Sequence, residues 1–232
     1  MRVGIMQPYF FPYIGYWQLI AAVDLYVVYD DVNYIKGGWI NRNRILIGNL
    51  PHYINLLLKG ASPNKLIKDV EVDMGEREQR KLLQTLKLNY NKAPYFDAVF
   101  PLIERMLRRE EGMLGDYLFE LNKEICSFLC IKTPMIKSSS IVKNEALRSE
   151  EKVIDICKRL GADQYINAIG GKKLYDAEHF QTSGIDLQFI KNKQLTYRQF
   201  GELFFPNLSI IDIMMFNSVE EIRAMLYNVE FE

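Results

Sequence analysis

The chain has 232 residues, 49% hydrophobic and 25% charged, with 29 basic and 29 acidic side chains and a formal net charge of zero. That length buries a substantial core as one large or two small domains. The charge balance excludes the basic face of a general nucleic-acid binder, though not a local phosphate pocket, and no run of about 18 apolar residues is present to span a bilayer.

The opening Met1-Arg2-Val3 lacks the charged region and long apolar core of a signal peptide, so a cytoplasmic location is expected. Cys126, Cys130 and Cys157 fit small buried hydrophobes of a reducing compartment, because no chelating histidine or second cysteine pair stands at zinc spacing.

The first element is a strand over Val3-Gly4-Ile5-Met6. A loop shaped by Pro8, Pro12 and Gly15 follows, then a helix over about Gly15 to Ala22, then a second strand, Leu25 to Tyr29, ending in Asp30-Asp31. Strand, helix and strand make one βαβ unit with a right-handed crossover. Ligands of open parallel sheets bind beyond the carboxyl ends of the strands, so the 7–16 loop and Asp30-Asp31 are expected on one rim. Val32 to Leu58 is extended, with a glycine turn at Gly37-Gly38 and a hairpin closed by Gly48-Asn49. Leu66 to Val72 reads as a short strand. Three helices follow, about Glu76–Asn89, Asp97–Arg109 and Leu114–Leu129, each with an apolar stripe of helical period. Beyond Thr133-Pro134-Met135-Ile136, a strand end, Ser149 is expected to cap a helix that Gly161 ends. Tyr165–Ile169, Ile185–Ile190 and Gln194–Gln199 read as strands, Asp176–Gln181 as a short helix, and Ser209–Phe216 and Val219–Tyr227 as amphipathic helices. The expected class is therefore α/β: a parallel-sheet βαβ core, a helical middle and an α/β C-terminal part. This is either one unit over 1–232 or two α/β parts, 1–74 and 133–232, flanking a helical insert, 75–132.

Five places carry side chains suited to chemistry, each with a plainer alternative. Tyr13-Ile14-Gly15-Tyr16-Trp17-Gln18-Leu19-Ile20 follows a strand and opens a helix, which resembles the nucleotidylyltransferase signature in shape and implies that class of fold. Tyrosines stand at Tyr13 and Tyr16 where that family uses histidines, so ligand binding through helix N–H groups and phenols is read ahead of nucleotidyl transfer; the alternative is a turn packed by aromatics. Asp30 and Asp31 are candidates for a catalytic base or for Mg²⁺ ligands, or form a turn or cap. In Trp39-Ile40-Asn41-Arg42-Asn43 the guanidinium suits a phosphate or carboxylate and the amides suit sugar hydroxyls, unless the segment is an exposed strand edge. Ser138 and Ser139 offer hydroxyls and amides to a phosphate, or shape a loop. Gly170 and Lys172, in Gly170-Gly171-Lys172-Lys173, offer an anion backbone N–H groups and charge, without P-loop spacing. His52 and His179 pair with no nucleophile and are read as structural.

Together these segments resemble the WbqC-like protein family. The matching residues are Gln7-Pro8-Tyr9, Pro12, Gly15-Tyr16, Asp30-Asp31-Val32, Gly38-Trp39-Ile40-Asn41-Arg42-Asn43, Tyr90, Lys92-Ala93-Pro94-Tyr95-Phe96, Ser138-Ser139 and Gly161-Ala162-Asp163-Gln164-Tyr165. The tail continues the pattern with Tyr197, Gln199, Phe205-Pro206 and Leu208-Ser209-Ile210-Ile211-Asp212. Asn33 departs from the family's usual glutamine but keeps an amide. The resemblance spans essentially the whole chain. It implies a soluble bacterial or archaeal protein encoded among genes for O-antigen and other surface polysaccharides, with aminoacyl or acyl transfer to a nucleotide-linked amino sugar as a suggested role. On that reading Gln7, Tyr9, Tyr13, Tyr16 and Trp39 join the binding residues, and Asp30 or Asp31 is the base or holds Mg²⁺. The rival readings are a non-catalytic nucleotide-sugar or glycan-binding partner of a glycosyltransferase, and an atypical ATP-using ligase or nucleotidyltransferase.

Overall fold

The apolar run at the start of the chain is strand β1 (Arg2–Met6), and the next run is β2 (Leu25–Val28). They pair in parallel from Val3↔Leu25 to Met6↔Val28, with α1 (Ile14–Ala22) between them. Helix α1 is apolar on nearly every side and buried from Ile14 through Ile20, as a helix sealed between layers must be. The computed structural model describes residues 1–109 and 112–232.

Strands β3 (Arg42–Ile47) and β4 (Leu50–Asn55) form the expected antiparallel hairpin. Its turn is Gly48-Asn49, both at positive φ (58° and 64°), the geometry a two-residue hairpin turn needs. Strands β5 (Leu58–Lys59) and β6 (Glu71–Val72) make one short rung. The strand expected over Leu66–Val72 is reduced to Glu71–Val72 and preceded by a 3₁₀ turn, Ile67–Asp69, because Lys68 and Ile67 N–H groups bond back to Asp30 and Val32 instead of to a ladder.

Helices α2 (Glu76–Tyr90), α3 (Phe96–Leu107) and α4 (Leu114–Phe128) follow. Their stripes, including Leu82, Leu86 and Tyr90 of α2 and Leu118, Leu121 and Ile125 of α4, share one continuous apolar core with α1. Next come β7 (Met135–Lys137), α5 (Ser149–Leu160), β8 (Gln164–Ala168), α6 (Ala177–Thr182), β9 (Asp186–Asn192), α7 (Ile210–Phe216), α8 (Val219–Leu226) and β10 (Val229–Phe231). Gly161, at φ 67°, ends α5 as expected. Ser149 does not cap that helix: it is the first helical residue, and Arg148 before it makes no side-chain cap. Gln194–Gln199 forms no strand, and the edge strand β10 has no counterpart in the sequence reading. Cys126 and Cys157 are buried, which pushes both thiols up to about 12, but Cys130 is exposed just past α4.

The central sheet has the order β10-β9-β8-β1-β2-β7, and every pairing except β10–β9 is parallel. Successive strand residues feed opposite faces. Ile166 and Tyr26 face the core of α1, α7, α8 and the helical middle, while Tyr165 and Val27 face α5 and α6. The chain is thus mixed α/β with a mostly parallel central sheet. The order of its parallel strands reverses between β1 and β8, and such a switch point opens a crevice at the carboxyl ends.

Candidate functional site at the switch point

A cleft of about 950 Å³ lies at that point. Its walls come from the loop after β1 (Tyr9, Pro12, Tyr13), the first turn of α1 (Ile14), the hairpin side (Trp39, Asn43, Arg44), the ends of β8 and β9, and the chain after β9 up to Leu208. The last of these roofs the cleft with Tyr197, Phe204, Pro206 and Asn207.

The 7–13 loop is held rigidly. Phe11 has positive φ (45°), which a bulky residue adopts only under constraint. Its carbonyl accepts from Asn43 Nδ2 at 2.8 Å and from Ser209 Oγ at 2.8 Å. Asn43 Nδ2 also reaches Phe10 O at 3.1 Å, and Pro12 O accepts from Trp17 Nε1 and Ile210 N–H, each at 3.0 Å. Tyr9 and Tyr13 are thereby presented to the cleft. Burial raises both phenols above their usual pKa, so they are neutral donors at physiological pH. A Cβ on Gly15 would sit 2.2 Å from Asn192 Nδ2 and 2.5 Å from Tyr13 Cε2, so this glycine lets the amide and the ring close over the N-terminus of α1. Tyr13 supplies no side-chain cap there, and of the first turn Tyr16 N–H bonds the Tyr13 carbonyl at 3.1 Å.

The roof is clasped from below by a buried carboxylate. Asp212, 0% exposed, accepts from Tyr197 Oη at 2.7 Å, Tyr90 Oη at 2.8 Å and Gln199 Nε2 at 3.1 Å. Gln199 closes the loop on itself through Phe205 O and N–H, both at 2.9 Å. Burial raises the Asp212 pKa, and the three donors only partly offset it.

The charge of the lining is one-sided. Among the described residues that line the cleft, Arg44, Lys191 and Lys193 are cationic and none is acidic. Arg44 forms no ion pair among the described residues, its Nε is buried without a partner, and Lys193 meets only the exposed Glu230, at 3.5 Å.

The structure distributes the sequence candidates unevenly. Tyr9, Tyr13, Trp39 and Asn43 border the cleft. Tyr16 does not: it is buried in the core, with its hydroxyl on Gln7 O at 3.2 Å and Asn122 Nδ2 at 3.3 Å. Gln7 is half-buried at the end of β1, outside the lining. Asn41 is spent on Leu56 O (2.9 Å) and Tyr34 Oη (2.7 Å). Arg42 turns away, bonding Gly37 O and Gly38 O and lying 4.5 Å from the Tyr53 ring centre. Arg44, two residues on, takes the place expected for it. Gly170 is exposed just past the cleft residues Ala168 and Ile169, and Lys172 pairs with Glu232.

Asp30 and Asp31 end β2 on the same rim but lie outside the cleft lining. Asp30, 1% exposed, accepts from Ser139 N–H at 2.9 Å and Ser139 Oγ at 2.6 Å. Asp31 is paired with Lys143 at 2.7 Å and Lys152 at 3.2 Å. Burial alone would raise its pKa, but the two ammonium groups and the Lys143 hydrogen bond hold it below the carboxylate norm. Ser138 is buried beside this pair. Asp31 thus spends its charge on two lysines within the fold. His179 is paired with Glu150.

Arg44, Lys191, Asn192, Lys193, Tyr197, Phe204 and Asn207 went unremarked in the sequence as site residues. The run Lys191-Asn192-Lys193-Gln194 leaves the carboxyl end of a parallel strand, and the rim rule applied to β9 as well as to β1 and β2 would have found it.

The profile of the WbqC-like protein family matches residues 7–224. The chain belongs to that family. The matched span includes every residue that lines the cleft and the whole Tyr197–Asp212 clasp. The chain is also 27% identical over 217 residues to uncharacterized protein Rv1507c of Mycobacterium tuberculosis, with 92% of each chain covered. No solved structure matches it. Among the described residues no helix is long and apolar enough to cross a membrane.

Proposed function

We infer that this WbqC-like protein is an enzyme of bacterial surface-polysaccharide biosynthesis that takes a nucleotide-linked sugar into the switch-point cleft, with acyl or aminoacyl transfer to an amino sugar as its reaction. The observation that supports it is the lining: among the described residues it holds three cations, no carboxylate, the first residue of α1 and aromatic walls in one cavity. Such a cavity suits a ligand with an anionic centre and ring-shaped ends. Tyr9, Tyr13 and Asn192 border the helix end, and Arg44, Lys191 and Lys193 supply the opposing charge. Cytoplasmic action follows from this substrate class.

A second reading, a non-catalytic nucleotide-sugar binding partner, is favoured by one observation. Among the described lining residues there is no Asp, Glu, His or Cys, which leaves only the lysines and tyrosines as candidate acids, bases or nucleophiles.

A thermal-shift screen against UDP-sugars, dTDP-sugars and ATP tests both. The expected outcome is a raised Tm with nucleotide sugars, growing with the logarithm of ligand concentration. ATP alone stabilising the chain would favour an ATP-using ligase, and no shift with any of them would refute the anionic-ligand reading. Turnover of the stabilising sugar with an acyl donor separates enzyme from binding module.

A further inference from the structure

The two sides of the cleft differ in kind. From β9 and the chain after it come the amides of Asn192, Gln194 and Asn207, which match sugar hydroxyls. The hairpin side offers no free amide: Asn43 donates to the Phe10 and Phe11 carbonyls and accepts from Arg44 N–H at 2.8 Å. What it offers is an indole. Trp39 is 39% exposed although it lines the cavity, and its backbone is fixed by Phe10 N–H on its carbonyl at 3.2 Å. The Arg44 guanidinium carbon lies 5.8 Å from its ring centre, and Tyr53 stands beside it with centroids 6.2 Å apart. A flat, half-open π surface with a guanidinium carbon 5.8 Å from its centre suits a planar ring joined to an anion.

We propose that Trp39 is the nucleobase platform of the cleft, stacking the base of a nucleoside diphosphate whose phosphates lie against Arg44, Lys191 and Lys193 and whose sugar meets Asn192, Gln194 and Asn207. This rests on the anionic-ligand reading above and assigns each part of the ligand to a wall. A sugar ring also stacks on an indole, but on the hairpin side its hydroxyls would meet no free amide, whereas the face of a base needs none.

The chain carries its own reporter. Trp17 is sealed in the core, so Trp39 is the tryptophan whose fluorescence a cleft ligand can reach. Titrations with UDP, dTDP, inorganic pyrophosphate and N-acetylglucosamine 1-phosphate, by fluorescence and calorimetry, test the assignment. UDP or dTDP is expected to quench the emission and to bind at least about tenfold more tightly than pyrophosphate, the usual scale of one base stacked on an aromatic ring. Trp39→Ala is expected to reduce nucleoside diphosphate affinity to the pyrophosphate level while leaving pyrophosphate binding unchanged, which also shows that the variant is folded; Trp39→Tyr should recover most of the loss. Trp39→Ala binding UDP and dTDP as tightly as wild type overturns the platform but keeps the anion site. Quenching by the sugar phosphate and by neither nucleotide overturns it in favour of a sugar platform. Binding of none of the four probes removes the anionic-ligand reading and the platform together.

Discussion

One rim of one sheet handles charge in two ways. At the ends of β2 and β7, Asp31 is enclosed by Lys143 and Lys152, and Asp30 by the backbone and hydroxyl of Ser139. At the ends of β1, β8 and β9, Arg44, Lys191 and Lys193 border an open cleft with no carboxylate among the described lining residues. The paired aspartates attract attention in the sequence, and each is held by partners within the fold; the cations drew none, and they line the cleft. A charge paired within the fold is costly to strip of its partner, whereas a charge without a buried partner at a cavity is available for binding.

The same contrast separates two buried aspartates. Asp31 is held by cations and its pKa is lowered; Asp212 is held by neutral donors and its pKa is raised by burial. Asp212 gathers donors from α2 and the roof, while Tyr90 Oη also accepts from Leu46 N–H of β3 at 3.0 Å. Asp212→Ala would orphan two buried phenol donors, Tyr197 Oη and Tyr90 Oη, while Gln199 Nε2 keeps the Phe205 carbonyl. It is expected to destabilise the chain by roughly 3–5 kcal/mol, since each unsatisfied buried group costs about 1–3 kcal/mol, and to weaken UDP binding by loosening the roof. Urea unfolding and calorimetry measure the two effects.

Lys143→Met is the matching test at the closed end. Breaking a buried pair costs about 3–5 kcal/mol, and Lys152 remains to offset part of it, so a loss of roughly 2–4 kcal/mol is expected with UDP binding unchanged. The pH dependence has a definite sign. Asp31, with its lowered folded pKa, contributes stability that is present above its unfolded pKa and lost as pH falls through the folded value. Asp212, with its raised folded pKa, acts oppositely: its contribution is full below the unfolded pKa and is lost as pH rises through the folded value. Lys143→Met should therefore flatten the acid-side fall in stability and leave the loss on the other side in place. Urea midpoints across the acid range read both.

Much of the fold was written locally. The βαβ unit, the Gly48-Asn49 hairpin and the Gly161 stop each depend on residues close in sequence. The cleft was only half legible, because it needs β8 beside β1, a pairing between residues 160 or so apart that no local pattern specifies. Tyr16 shows a second limit. It shares a loop-helix segment with Tyr13, but one turn into α1 its ring faces Trp17 and Tyr26 in the core. The tail residues from Tyr197 to Asp212 stood out as a family pattern without a stated mechanism, and their role as a clasp emerged only once α2 supplied Tyr90.

Arg42 and Arg44 allow the sharpest local comparison. They sit two residues apart on β3, yet the Gly37 and Gly38 carbonyls and the Tyr53 ring occupy Arg42, while Arg44 lines the cleft. Arg44→Ala is expected to weaken UDP binding by about 1.5–3 kcal/mol, the range for a charged hydrogen bond, and Arg42→Ala by less than about 0.5 kcal/mol. Equal losses in calorimetry would mean that Arg42 leaves its carbonyls when ligand enters.

The smallest stability effect belongs to Gly15. Alanine inside a helix is ordinarily favoured over glycine by about 0.5–1 kcal/mol. Here the added Cβ would meet Asn192 Nδ2 at 2.2 Å and the Tyr13 ring at 2.5 Å, both side-chain atoms that line the cleft and would have to shift. The helix gain and the displacement oppose each other, so the stability of Gly15→Ala should stay within about 1 kcal/mol of wild type. The cleft would not be spared: the amide and phenol forced off the α1 N-terminus would enter the space a ligand needs. Weaker UDP binding at nearly constant urea stability is the expected result. Unchanged binding would place the ligand away from the helix end and leave the cations on the other walls to hold it.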